Sequence, residues 1–527
     1  MEAACLRQTE LPHTSRLFED FSYHFDRLSR FYRHNPHDPA AYHTAAAEID
    51  YPDDRRAALV AALRKQNGDS PSLALLAQRG TVAVVTGQQV GLFSGPAYTI
   101  YKALTAAKLA EKLTSEGLPA VPVFWLATED HDLAEVDHVY TFDGEHQPQL
   151  LKAGAQAGGS QRPVGQIVLE DIPVAELGEF LRHFPFGEEV TAEVNASYRT
   201  GSTLGGAFLD LLKRLLSRFD LLFLDPLAED IRRLGAPLLA KAALRGPELK
   251  TRIARRNDEL TEAGYHAQVH IEPQTSLVFL LEGGRRIGLK YQNGEYVSGR
   301  EGKFTAEQLA ARAEHLSPNA LLRPVMQDFM LPTVAYAGGP AELAYLAQSQ
   351  VLYDDLLGRM PVALHRAGFT LLEARAEKLL TRYKLSWPMV FEGEQGIRNE
   401  IGRQLVPPEL LSAFEESERD ISAALDGLAG ALSKFDPTLE AALRKSRAKI
   451  EHQVAKMHQK TERESLRRDQ RATAEARFIA GLLYPNKHLQ ERLYTILPFL
   501  AKHGFELIDT IYDNIALDCP DHRILVI

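Results

Sequence analysis

The stretch from Val82 to Asp137 constrains this chain most, because it spells out a strand, a glycine turn, a helix and a second strand in one run. Val82–Val85 is a short β-branched run and reads as a buried strand. Gly87, Gly91 and Gly95 punctuate the turn, and Pro96 stands where a first helical residue would, its missing N–H costing nothing there. Tyr98, Tyr101, Leu104, Lys108 and Leu113 carry the chain through about four helical turns. Val121–Ala127 is a second apolar run and ends abruptly in Thr128-Glu129-Asp130-His131-Asp132. Polar residues therefore gather at the C-terminal tips of both strands, the edge at which open parallel sheets bind ligands.

The glycine spacing, G-x3-G-x3-G with no Lys-Ser/Thr after it, is neither the dinucleotide fingerprint nor a P-loop. A glycine turn at a helix start still offers N–H groups and a positive dipole end to an anion. The bland alternative is a tight turn with no ligand.

A chain of 527 residues has ample core for roughly two to four domains. It is 45% apolar and 25% charged, as soluble globular proteins are. The net charge of −10 disfavours general affinity for nucleic acid or for anionic membranes. Its two cysteines, Cys5 and Cys519, are too few for a disulfide scaffold or a zinc ribbon and suggest a reducing cytoplasm. The opening residues lack the basic and apolar segments of a signal peptide, and no apolar run reaches membrane-spanning length.

Residues 1–80 read as mostly helical, with an aromatic stripe from Phe18 to Tyr32 that suits core packing. Residues 144–165, rich in Gly and Gln, read as loop. Leu221–Leu224 repeats the earlier grammar, a short strand with a carboxylate, Asp225, at its tip. Residues 239–264 read as one long helical stretch. Residues 266–281 and 286–297 alternate like antiparallel strands, with Asn293-Gly294 a strong hairpin turn, so a β-rich insertion is expected there. Thr333–Ala337 reads as another strand, followed by Gly338-Gly339 and a helix start at Pro340. Gly95-Pro96-Ala97 precedes Tyr101 at the offset by which Gly339-Pro340-Ala341 precedes Tyr345. Two helix openings of one design are thus expected to face one cleft; the alternative is that Gly-Pro simply starts helices well.

From about Leu405 apolar residues step by three or four, and a second arm runs to about Ile479, as in a coiled-coil hairpin. The first arm, from Glu409 to Asp436, has seven acidic and two basic residues; the second, from Arg444 to Arg477, has eleven basic and five acidic. Such arms suit antiparallel pairing within one chain or between two, with RNA binding by the basic arm a less economical reading.

Glu129, Asp130, His131 and Asp132, with Glu135, Asp137 and His138 beyond, form the densest ionisable group. Crowded carboxylates are expected to raise one another's pKa and to hold the histidine protonated to higher pH. Such a group moves protons to and from amines and leaving groups. A metal is the alternative, with His131, Glu135 and His138 on one face if the segment is helical; a solvated helix start is the plain one.

The blocks TGQQVGLFSGPAYTIYKA, FWLATEDHDLAEVDH, LRPVMQD, LPTVAYAGGPAELAYLAQ and LYPNKHLQERLY resemble the BshC family, the cysteine-adding ligases of bacillithiol biosynthesis. The resemblance implies a ligase joining cysteine to the amine of glucosaminyl malate. It also implies an α/β fold: a Rossmann-like parallel sheet core with inserted connecting segments, and a C-terminal α-helical coiled coil that supports a homodimer. The expected divisions are a core over residues 1–385, a helical hairpin over 386–482 and a segment over 483–527 that packs back on the body.

Amide formation in water is uphill, so ATP is the expected energy source, with no metal beyond Mg accompanying the nucleotide. His131 or Asp130 is the candidate base, and Asp132 would orient the histidine. Glu342 would hold a substrate ammonium, and Arg323 and Lys102 would neutralise malate or phosphate. Gln88 and Gln89 offer amide donors, while Gly95, Tyr98, Glu129, Gly338 and Gly339 complete the expected binding set. A nucleotidyl- or glycosyl-transferase on the same sheet, or a non-catalytic coiled-coil scaffold, are the competing classes.

Overall fold

The computed structural model describes residues 4–155, 161–299 and 302–527. The chain divides into two compact units. One comprises residues 1–144, 149–370 and 491–525; the other comprises 145–148, 371–490 and 526–527.

The first unit is built on a five-stranded parallel sheet. Strand β1 (Val82–Gln89) leads through the glycine turn into α1 (Tyr98–Ser115), then β2 (Ala120–Ala127) and, after a helical excursion, β3 (Leu222–Leu224). The expected β-rich insertion follows, with β4 (Thr275–Glu282) and β5 (Arg285–Gln292) as the centre of a five-stranded antiparallel sheet. Asn293 and Gly294 both take positive φ, 51° and 86°, as a two-residue hairpin of this twist requires. The chain then returns through α2 (Arg323–Met330), β6 (Thr333–Gly338), α3 (Pro340–Leu356) and β7 (Val362–His365).

The parallel sheet has the order β7-β6-β1-β2-β3. Val85 lies opposite Val123 on one side and Tyr336 on the other. All of Ala120–Ala127 is buried, as strands covered on both faces must be. The chain leaves β1 toward β2 and β3 and later adds β6 and β7 on the opposite side. The strand order therefore reverses between β1 and β6, and a crevice opens beyond their C-terminal ends.

Residues 491–525 complete this unit. His522–Ile524 pairs antiparallel with Ala4–Leu6, so the two termini share a sheet. Burial, and after it the neighbouring Cys519, push the Cys5 thiol up, although the two cysteines stand at opposite ends of the sequence. Two expectations need correction. Residues 144–165 are not all loop: Pro148–Lys152 and Gly154–Ala155 are strands, while 156–160 lie outside the described residues. Residues 239–264 are not one helix, because Gly246-Pro247 starts a new one and separates Glu229–Leu244 from Gly246–Glu262.

The second unit is helical. Its hairpin consists of α4 (Pro408–Phe435) and α5 (Pro437–Arg468). Arg447 of the basic arm bonds Asp426 and Ser422 of the acidic one, each at 2.5 Å, and Phe414 stacks on His458. The second arm ends earlier than the apolar pattern suggests. Asp469 breaks it, and its carboxylate caps the next helix, Gln470–Leu483, through the Ala472 N–H at 2.9 Å. Besides 145–148 and 526–527, this unit takes in residues 371–490. Its early helix, Ala374–Arg382, is tied to the last one by Arg382 and Tyr383, both bonded to Glu475.

Candidate active site

A cavity of about 530 Å³ sits in the first unit at the C-terminal tips of β1, β2 and β6, in the crevice that the strand order creates. Its two ends carry different chemistry.

One end is built by the segment leaving β2. The Asp130 carboxylate accepts from Arg323 at 2.5 Å and from Arg286 at 3.4 Å. Arg323 opens α2, whereas Arg286 comes from β5 of the insertion. The Arg286 guanidinium is fixed by Ser317 Oγ (3.1 Å), by the Pro318 carbonyl (2.7 Å) and by the Phe279 ring beneath it at 3.9 Å. Burial draws this guanidinium down to about 10. Burial by itself would raise the Asp130 carboxyl, but the two guanidiniums outweigh it and hold the group below its usual range.

Glu129 does not line the cavity. It is buried beneath, burial pushes its carboxyl up, and its Oε2 has no hydrogen-bond partner. The cluster thus splits, one carboxyl raised and one lowered, instead of all rising together.

His131 is exposed at the cavity, with Nδ1 3.3 Å from an Arg286 nitrogen. Arginine only donates, so Nδ1 accepts and the ring proton is assigned to Nε2. Burial, and after it Arg286, push the imidazole below its usual range, the reverse of the expected shift, because together they outweigh the pull of Asp130 and Asp132. Asp132 does not orient His131. Its Oδ1 accepts from the Ala134 N–H at 3.2 Å and caps the short turn Leu133–Glu135. The segment is not one helix, since His138 already begins a strand, so His131, Glu135 and His138 share no helical face. Among the described residues no three metal-ligating side chains converge.

The other end is built by β1, α1 and the start of α3. The buried Lys102 ammonium donates to the Gly87 carbonyl (2.8 Å) and Gln88 Oε1 (2.9 Å), and pairs with Glu342 Oε2 at 2.5 Å. Glu342 also accepts from the Gly339 N–H (2.8 Å) and the Tyr336 hydroxyl (2.7 Å). These contacts compete with the roles expected of both side chains. Lys102 is committed to the protein, and Glu342 is already satisfied by three internal donors, so neither is a free group waiting for substrate. Burial lowers the Lys102 ammonium even though Glu342 opposes the shift. Gln88 donates to the Tyr98 hydroxyl at 3.2 Å, and Gln89 to Glu135 at 2.9 Å.

The two helix openings part company here. Gly339 and Pro340 line the cavity. Gly95 and Pro96 do not, because the Ala97 N–H beside them is taken by the Tyr494 carbonyl at 2.7 Å. Gly338 is likewise off the cavity, its carbonyl accepting from the Arg366 N–H at 2.9 Å.

Sequence reasoning missed Arg286, Phe279, Tyr345, Arg366 and Arg492, which all line the cavity. Tyr345 and Arg492 fall within the blocks quoted above, which could have flagged them. Nothing in the sequence around Arg286 signals that the insertion reaches the sheet tips.

Together these groups form a hollow rich in fixed cations, with a neutral imidazole and an exposed carboxylate, Asp132, at one end. That arrangement suits a small anionic substrate and a proton transfer.

The model of the N-terminal Rossmann-like domain of bacillithiol biosynthesis BshC matches residues 1–367, and that of the C-terminal coiled-coil domain of BshC matches 369–527. The chain is 53% identical over 527 residues to a protein of Solibacter usitatus named "Putative cysteine ligase BshC", covering 100% of both. Proteins of the same name from Koribacter versatilis and Salinibacter ruber are 38% and 31% identical, covering 99% of both chains and 97% and 96% respectively.

Proposed function

The chain belongs to the BshC family of bacillithiol biosynthesis, and on that premise we propose that it is a ligase joining the carboxyl of cysteine to the amine of glucosaminyl malate. One observation carries this reading. The blocks that resemble the family supply most of the cavity's lining: Gln88, Tyr98 and Lys102 come from the first, Asp130–Asp132 from the second, Arg323 from the third, Gly339–Glu342 from the fourth and Arg492 from the last.

The residues suggest a division of labour. Asp130, held by two guanidiniums and below its usual range, is a poor base and serves to fix Arg286 and Arg323. Asp132 is exposed to the cavity and takes the proton of the attacking amine. His131, neutral and carrying its proton on Nε2, donates to the acyl oxygen on which charge develops. ATP is the energy source in this reading, and it would supply the activation that makes the carboxyl of cysteine reactive. The α3 opening is the group fit to hold its anionic oxygens.

The coiled coil is read as a homodimer interface. Leu428, Phe435, Ile450 and Met457 are exposed on its arms, Phe435 by 83%. No helix among the described residues is long and apolar enough to cross a membrane, and a cytoplasmic setting fits the pair of free thiols.

The test is a purified reaction of cysteine, glucosaminyl malate and ATP, followed by mass spectrometry of the thiol product. Wild-type protein should form the amide, and Asp132→Asn and His131→Ala should each lose at least about a hundredfold in kcat while their circular dichroism stays unchanged. Full turnover in both variants would end the assignment of roles. No product from wild-type protein with any nucleotide would end the ligase reading.

A further inference from the structure

The cavity's cations are not equivalent. Arg286 and Arg323 share Asp130, and Lys102 is paired with Glu342. The buried Arg366 makes a bidentate pair with Glu491, at 2.6 and 3.0 Å. Arg492 lines the same cavity, is exposed, and has no carboxylate partner among the described residues.

Its position is not accidental. Glu491, the residue before it, is locked by Arg366 and by the Phe369 N–H at 3.1 Å. On the other side, the Tyr494 carbonyl accepts from Ala97, and the Thr495 hydroxyl donates to the Phe93 carbonyl at 2.9 Å. A pinned backbone therefore presents one unpaired guanidinium to the hollow. Its charge is felt at Tyr98 and Lys102, whereas Asp130 responds instead to Arg323 and Arg286, and His131 to Arg286. The cavity thus has a proton-handling end and an end whose open cation is Arg492.

We infer that Arg492 is the anchor for the carboxylate-bearing end of the sugar substrate, holding the malyl group at the α1 side so that the amine reaches Asp132 and His131. This rests on the ligase reading for the identity of the substrate, while the anion-binding role rests on the pairing pattern alone. Guanidinium and carboxylate match in fork geometry, which a lysine reproduces only in part. Arg492 is a binding residue in this scheme and takes no part in proton transfer.

The experiment has two arms. In kinetics, Arg492→Ala should raise KM for glucosaminyl malate roughly ten- to a hundredfold, the loss of one charge-assisted contact, with kcat within about twofold. Arg492→Lys should recover part of it. KM for cysteine should not move, and a glucosamine glycoside whose aglycone bears no carboxylate should show no difference between wild type and variant. In calorimetry, with no turnover required, L-malate and ATP are titrated separately into wild-type protein and Arg492→Ala. Malate affinity should fall and ATP affinity should not. Loss of ATP binding with malate unchanged would overturn the carboxylate assignment. An unchanged KM and unchanged malate affinity would overturn the anchor. Malate binding that depends on Arg492 in a protein with no ligase turnover would leave the anchor standing and remove the ligase reading.

Discussion

The two glycine–proline helix openings share a sequence design and end in opposite situations. At Gly95-Pro96 the glycine has φ 65° and ψ −162°, and the adjoining N–H of Ala97 is capped by the Tyr494 carbonyl. At Gly339-Pro340 the glycine has φ −83° and ψ 175°, ordinary extended backbone, and the opening lines the cavity. There the cap is a local carboxylate, Glu342, three residues on. One opening is closed by a segment from the far end of the chain. The other is capped from within its own helix and stays open to ligand. A helix start is therefore a site only if the rest of the fold leaves it uncovered.

The largest expected effect comes from loosening the closure of the first opening. Arg366 and Glu491 are each 4% exposed, so Arg366→Ala strands a buried carboxylate and should cost about 3–5 kcal/mol in urea unfolding. A loss under about 1 kcal/mol would mean that the tail is held by other contacts. The same pair sets a pH dependence. Burial opposes ionisation, but Arg366 holds the Glu491 carboxyl down at about 2. A depressed carboxyl contributes its full stability above the unfolded value, about 4.3, and loses it as pH falls through the folded value. Wild-type stability should therefore fall between about pH 4 and pH 2, and Arg366→Met should flatten that part of the profile.

The second opening should be less costly to disturb. Lys102→Met removes one of three partners of Glu342 and leaves Tyr336 and the Gly339 N–H, so about 2–3 kcal/mol is expected by the same measurement. A smaller contrast lies in the glycines themselves. A Cβ on Gly95 meets only ordinary contacts, Thr99 Oγ1 at 3.5 Å and Gly91 Cα at 3.9 Å, so Gly95→Ala is costly through backbone strain, about 1–3 kcal/mol. A Cβ on Gly339 finds ordinary contacts, Glu342 Oε2 at 3.5 Å and Arg366 Nε at 3.7 Å, so Gly339→Ala should cost about 0.5 kcal/mol or less. Equal costs would erase the distinction between the two turns. The smallest effect is electrostatic. Arg286→Met should move the His131 titration, followed by NMR, upward toward its ordinary value without reaching it, since burial is the larger cause of its depression.

Much of the fold was legible because it is written in local periodicity. The β-branched run of β1, the apolar β2, the Asn293-Gly294 turn and the three- and four-residue steps of the hairpin each specify their own backbone. The helix break at Asp469 is also local, an aspartate cap that the continuing apolar steps mask, whereas the tie between Tyr383 and Glu475 is a contact that no local pattern announces. In the site, Asp130, Asp132 and His131 were placed at the cavity by reasoning from strand tips, whereas the ionisation of His131 was misjudged because it depends on burial first and then on Arg286, which arrives from an insertion 155 residues away.

Taken alone, the order of the residues determined the strands, their polar tips, the hairpin and the family, since each of these is set by neighbours along the chain or by whole blocks of sequence. Tertiary structure decided which helix opening is sealed, which cations are already paired and which guanidinium remains open to ligand. Burial and ion pairing depend on what folding brings within a few ångströms, and residues as distant in sequence as Ala97 and Tyr494, or Lys102 and Glu342, meet only there.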